Sequence, residues 1–268
     1  MDSVGVTFGH RLWWVDAFIG DHESGNPAVV ILLERPLPDD ELQQIAHEMG
    51  VSETAFIRRE GDQWSLRWFT PTTEVDLCGH ATLATVHVLV HELGVPSGEF
   101  YFQTRSGVLS GRALRDGLLG MDLPRSYVES VDAQVLGGAF GDVREVFQAG
   151  AQSVIAVVAD YETLCGIGVD PGELFFVPGA LVVAVCEGGP GVDASIRVFA
   201  PRLGIGEDHA TGSALCSLAP WWMERTGSPT LSVRQASPRG GVMHARLFEH
   251  NVEIAGLART YFGGELRL

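Results

Sequence analysis

A thiol, a glycine and an imidazole stand in a row at Cys78-Gly79-His80, at the head of the apolar run LCGHATLAT. Those residue types open four chemistries: a reactive thiol, a metal ligand set, a cradle for an anionic substrate at a helix start, or simple packing. Upstream, in VSETAFIRR, strand alternation puts Glu53 on the same face as Val51, Ala55 and Ile57. A carboxylate in such company sits where charge is disfavoured, which suits proton transfer. The alternative is structural: a buried donor paired with Glu53, or a side chain turned to water.

A second glycine junction lies far downstream, at Thr211-Gly212-Ser213, with Asp208 and His209 just before it. The amides at a helix start lack intrahelical partners, and Gly79 and Gly212 let a ligand approach closely, so each junction could hold a carboxylate without any lysine. The competing reading is capping, with Asp208, Thr211 or Ser213 satisfying the helix's own amides. His80, His87 and His91 fall at i, i+7 and i+11, which invites a metal, but no third-ligand carboxylate follows in a familiar order and H-E-x-x-H is absent. Neither G-x-x-x-x-G-K-[ST] nor G-x-S-x-G occurs, and LGIGED has too few glycines for a dinucleotide fingerprint. The expectation is chemistry without metal or cofactor.

The elements that must position these residues emerge from an internal repeat. SLRWFTP, from Ser65 to Pro71, returns as SIRVFAP, from Ser195 to Pro201, 130 residues on. Gly94-Val95-Pro96-Ser97 returns as Gly227-Ser228-Pro229-Thr230 at an offset of 133, and RSGVLSGR from Arg105 returns as RGGVMHAR from Arg239 at an offset of 134. Three matches in the same order imply two copies of one supersecondary unit, expected as domains over residues 1–115 and 116–268. Within each copy the pattern is strand, helix, strand: LRWFTP stops at Pro71, GHATLATVHVLVHELG is a helix ended by Gly94, and EFYFQTRSG is a strand. ATGSALCSLAPWWMERTG and PTLSVRQAS supply the second helix and strand. Both helices are apolar nearly all round, which marks them as buried; the first carries Ala81, Leu83, Ala84, Val86, Val88, Leu89 and Val90. The expected fold is α+β, with two pseudo-symmetric domains, each a barrel-like mixed sheet wrapped around a central helix. Earlier in the chain, WWVDAFIGDHESGNPAVVILL reads as strand, polar loop and strand, and PDDELQQIAHEMG as an amphipathic helix closed by Gly50.

Composition limits the partners. The 268 residues carry 18 Lys and Arg against 34 Asp and Glu, a net charge of −16, which argues against nucleic acid and anionic membranes and leaves small molecules. No run approaches the ~18 apolar residues of a membrane span, and the N-terminus shows no basic segment followed by an apolar core, so a cytoplasmic protein is expected. Cys78, Cys165, Cys186 and Cys216 are scattered with no C-x-x-C, as expected of free thiols.

Four segments together, VDAFIGDHESGNPAVV, SETAFI, RWFTPTTEVDLCGHATLAT and RVFAPRLGIGEDHATGSALCSLAPWW, resemble the PhzF-like (phenazine biosynthesis) family, in order and across both halves. The resemblance implies the diaminopimelate-epimerase fold with the active site between its two domains. It also implies a cofactor-independent isomerase or epimerase that moves a proton on a small carboxylic-acid metabolite, often in secondary metabolism, and is compatible with a homodimer. By the same resemblance Glu53 is the general acid/base, His80 and Asp208 are its polar partners, and Gly79, Gly212 and Ser213 bind the substrate carboxylate. Asn26 and Cys78 join the binding set. His209 stands where a proline is frequent in the family.

The leading expectation is therefore an isomerase in which Glu53 removes a proton and a proton returns at a conjugated position, shifting a double bond. A Cys78-dependent epimerase is a rival, although the second junction offers Thr211 in place of a thiol, and Cys216 lies too far into its helix to substitute. Hydrolysis of a C–C or C–N bond with the same acid/base set is another. A non-catalytic metabolite-binding protein is the alternative from outside enzymology.

Overall fold

A computed structural model describes residues 9–96, 98–168, 170 and 172–267. The stretch 1–8, read above for a leader, and Ser97, part of the repeat, lie outside the described residues. The chain divides into two compact units. Unit 1 holds the residues up to Ala17, Pro27–Leu119 and those from Ala258 onward; unit 2 holds Phe18–Asn26 and Gly120–Leu257. Sequence contiguity suggested a single cut near residue 115. The structure instead assigns the end of the long C-terminal strand Asn251–Arg267 to unit 1 and the short segment after Ala17 to unit 2.

In unit 1, Asn26–Leu32 lies parallel to Glu53–Glu60, with Ala28 opposite Glu53, and helix α1 (Asp39–Met49) makes the crossover. Glu53–Glu60 pairs antiparallel with Gln63–Phe69. Gln63–Phe69 pairs antiparallel with the short Glu74–Val75 and parallel with Glu99–Thr104, which turns back on Gly107–Ala113. Helix α2 (Gly79–His87) is threaded between these last elements in the chain. Unit 2 repeats the plan. Ser153–Val157 is parallel to Leu181–Glu187 with the short α3 (Tyr161–Gly166) between them, and Leu181–Glu187 is antiparallel to Ala194–Ala200. Ala194–Ala200 pairs antiparallel with Ile205–Asp208 and parallel with Thr230–Gln235, which is antiparallel to Gly241–Leu247. Helix α4 (Leu215–Thr226) holds the place of α2. Each unit is thus a mixed, barrel-like sheet about a buried helix, and the internal repeat is one of strand order and direction, not only of sequence.

All nine residues of α2 are buried. A helix without a solvent face must hide its polar groups, and the threonines do so locally: Thr82 Oγ1 donates to the Cys78 carbonyl at 2.6 Å and Thr85 Oγ1 to the Ala81 carbonyl at 2.8 Å. The predicted helix to Gly94 is modified at its end, where Val88–Glu92 forms a π-helical turn before Gly94 reverses the chain at φ 58°. Helix α4 contains Pro220, which has no N–H for the Cys216 carbonyl one turn back. The amide of Ser126 donates to that carbonyl at 2.8 Å, so no buried acceptor is orphaned.

The strand Glu53–Glu60 departs from simple alternation, because Glu53 through Ile57 are all buried. Phe56 packs with Val29, Ile31 and the α1 residues Leu42, Ile45 and Ala46 in one apolar cluster, and α2 also contacts the strand. Both faces are covered, so the position of Glu53 is set by sandwiching between helices rather than by a water-facing edge.

Candidate active site

The repeated R-x-F-x-P segment performs the same task in both units. Arg67 grips Glu74 bidentately, Nε to Oε1 at 2.7 Å and Nη2 to Oε2 at 2.8 Å, with its guanidinium 5.1 Å from the Phe69 ring centre. Arg197 grips Glu207 by the same atoms at 2.7 and 2.8 Å and lies 5.2 Å from the Phe199 ring centre. Planar fork-to-carboxylate pairing fixes both distance and orientation. The Arg67 hydrogen bonds hold the Glu74 carboxyl below its ordinary pKa despite partial burial. Each clamp ties the strand carrying the repeat to the segment that leads into a glycine junction.

In unit 1 the junction completes a compact set of three side chains. Glu53 is the first residue of its strand, and its Oε2 lies 3.2 Å from His80 Nε2. The other ring nitrogen, His80 Nδ1, lies 3.6 Å from Cys78 Sγ. All three side chains are buried. Burial pushes the Cys78 thiol to a higher pKa, the Glu53 charge adds to this, and His80 opposes it. For His80, burial favours the neutral ring, but Cys78 and Glu53 together outweigh it and raise the pKa well above the ordinary value. The Glu53 carboxyl, 3.2 Å from Nε2, is the acidic group that faces the imidazole on that side. A carboxyl group with an imidazole at its side is a pairing able to take a proton from carbon and to hand one back. Gly79 opens α2, beside this set.

The three spaced histidines do not converge. His80 belongs to the Glu53 set, whereas His87 and His91 face each other with ring centres 4.8 Å apart, and His87 Nε2 lies 3.0 Å from Thr260 Oγ1. Burial drives the His87 pKa down to about 4.

In unit 2 the residues Asn26, Asp208, Gly212 and Ser213 fall into one neighbourhood. Asp208 Oδ1 accepts from Asn26 Nδ2 and from the His209 amide, each at 2.8 Å, and Oδ2 accepts from Thr211 Oγ1 at 2.5 Å. Its carboxylate is therefore engaged by the protein's own donors, which makes it an organiser of this loop. Gln235, which the sequence reading passed over, is fully buried; its Nε2 donates to the Asp208 carbonyl at 2.7 Å and its Oε1 accepts from the Thr211 amide at 2.8 Å. A polar residue ending the apolar face Leu231, Val233, Gln235 was the available signal. Gly212 begins a 3₁₀ turn that leads into α4. A Cβ at Gly212 would stand 2.9 Å from Phe18 Cζ, so the glycine serves close packing on a buried ring. Phe18 itself holds φ at 62°, a left-handed conformation costly for an aromatic residue. Thr211 occupies the place of a second thiol, and Cys216, buried in α4, is pushed up to about 12.

Two units, each with mixed strands about a helix that opens at a glycine junction, define the epimerase-like class of fold. The hydroxyproline epimerase of Agrobacterium vitis shares that fold at a TM-score of 0.62 and 13% identity, over 97% of this chain and 93% of its own. Residues 15–264 match the PhzC-PhzF family, described as phenazine biosynthesis-like protein. An uncharacterized isomerase of Pseudomonas aeruginosa is 40% identical over 255 residues, 95% of this chain and 97% of the relative. The crystal structure of a PhzF-family protein from Enterococcus faecalis superposes at a TM-score of 0.89 with 36% identity, covering 97% of this chain and all (100%) of that one. The chain belongs to the PhzC-PhzF family and is a PhzF-like isomerase.

Proposed function

We propose that this protein moves a proton on a small carboxylic-acid metabolite without a cofactor, shifting a double bond, with Glu53 as the general acid/base and His80 as its partner. The observation that carries the reading is the buried Glu53 carboxylate 3.2 Å from His80 Nε2. Glu53 would take an acidic C–H proton, the His80 imidazolium would steady the charge, and the proton would return at the conjugated carbon, so that the substrate's mass is unchanged. In this reading Cys78 and Gly79 hold the substrate beside Glu53 in unit 1, and in unit 2 Asp208 keeps Asn26 and Thr211 in place. A step in secondary-metabolite biosynthesis suits such a reaction.

The test is incubation in D2O with a panel of small unsaturated and amino carboxylic acids, read by mass spectrometry. Wild type should incorporate deuterium into its substrate, and Glu53→Gln should lower the rate by about 10²- to 10⁴-fold while melting at the wild-type temperature. Incorporation persisting in the folded Glu53→Gln protein would remove Glu53 from its role. A product of changed skeletal mass would point to bond cleavage instead.

A second reading, epimerisation through Cys78, draws support from the 3.6 Å approach of its Sγ to His80 Nδ1. Alkylation separates the two: activity retained after complete Cys78 labelling excludes a thiol base.

A further inference from the structure

The Glu53, Cys78 and His80 side chains offer one ligand atom each, all within 4.8 Å of one another, and all three residues are buried. No other such group of His, Cys, Asp and Glu occurs among the described residues. We propose that this cluster is a zinc-type divalent cation site, and that an ion bound there switches the proton-transfer chemistry off.

Distances and charge both favour it. Zinc binds thiolate sulfur at about 2.3 Å and imidazole nitrogen at about 2.0–2.1 Å, so a tetrahedral ion separates S from N by about 3.5 Å. The Cys78 Sγ to His80 Nδ1 separation is 3.6 Å. The Glu53 carboxylate is the third ligand, drawn in from its present contact with the ring. On binding, the Cys78 S–H bond breaks, its proton leaves to solvent, and the sulfur electron pair goes to the metal. His80 ligates as a neutral ring, any proton on the ligating nitrogen leaving to solvent. One dication, one thiolate, one carboxylate and one neutral imidazole sum to zero, the arrangement that costs least to bury. Three protein ligands leave one tetrahedral position open for water. A dication bound there occupies the carboxylate that would act as base. Binding stands on the geometry alone; the inhibitory consequence rests on the reading of Glu53 as the base.

Cobalt is the probe, because tetrahedral Co2+ with a thiolate ligand absorbs in the near ultraviolet by charge transfer and in the visible by d–d bands. Titrating the full-length protein with Co2+ should develop both features at one equivalent, and Zn2+ should abolish them. Cys78→Ser should lose the charge-transfer band, His80→Gln and Glu53→Gln should weaken Co2+ binding by about tenfold or more, and Cys165→Ser, which alters the exposed thiol, should behave as wild type. Circular dichroism establishes that each variant is folded, and the Glu53→Gln titration keeps the test decisive should Cys78→Ser unfold. A wild-type protein without the band, or a band that survives in folded Cys78→Ser, overturns the site. A missing band alongside Glu53-dependent deuterium exchange refutes the metal site and leaves the isomerase standing. A band in a protein with no exchange on any substrate does the reverse. Exchange that continues at full rate in the zinc-loaded protein overturns the switch.

Discussion

His87 closes the helix that carries His80, and its environment makes a quantitative forecast. Burial is the main cause of its low pKa of about 4, with His91 adding to the effect. In the unfolded chain the same ring titrates near 6.5. The folded pKa is depressed, so between those values the unfolded state binds a proton that the folded state refuses. The cost is absent above about pH 7, grows as pH falls through 6.5, and levels off below about 4. At pH 4.5 linkage between these two pKa values gives about 2.5 kcal/mol, an order-of-magnitude figure. Urea unfolding of wild type and His87→Gln at pH 7.5 and pH 4.5 isolates the term, because the other carboxylates and histidines are common to both proteins. Glutamine cannot titrate but can still bond Thr260. The wild-type stability should fall between the two pH values by about 2–3 kcal/mol more than that of the variant. A difference within about 0.5 kcal/mol would refute the claim that His87 is held neutral, and with it the picture of α2 as a helix without a solvent face.

Two further substitutions probe the scaffold around the junctions. Arg67→Lys replaces a planar fork with a point charge, so the bidentate grip on the partly buried Glu74 is lost; stability should drop by about 1–3 kcal/mol, measured by urea melts, and Arg197→Lys should follow suit in unit 2. Gly212→Ala drives a methyl to within 2.9 Å of Phe18 Cζ; about 1–3 kcal/mol of overpacking cost is expected, and a melting temperature equal to wild type would show that Phe18 can yield.

Much of the fold could be read from the residues. SLRWFTP and SIRVFAP announced the duplication because each copy needs its arginine, phenylalanine and proline for the same physical job. The largely apolar run after His80 identified a helix with no solvent face, and Gly50 and Gly94 marked chain reversals that the structure shows at φ 65° and 58°. What the residues could not convey were contacts between distant segments. Glu53 was marked by its apolar neighbours, but its approach to His80 depends on how α2 lies on the strand, which no local pattern encodes. Nor does any local pattern show that Cys78 Sγ lies 3.6 Å from the same imidazole. The engagement of both Asp208 oxygens was hidden for a similar reason, because Asn26 is 182 positions away in the chain. The unit boundaries followed contacts rather than chain order, as the shared C-terminal strand illustrates.

The duplicated arginine–glutamate clamps carry an evolutionary consequence. Both copies keep the grip, while the residues it presents have parted: Cys-Gly-His at one junction, Thr-Gly-Ser at the other. A scaffold whose rigidity resides in the clamp leaves the adjoining junction at liberty to drift. After duplication, the residues at each junction could change without either copy relearning how to fold. The same separation makes the junctions the natural places to graft new reactivity, with the clamps left untouched.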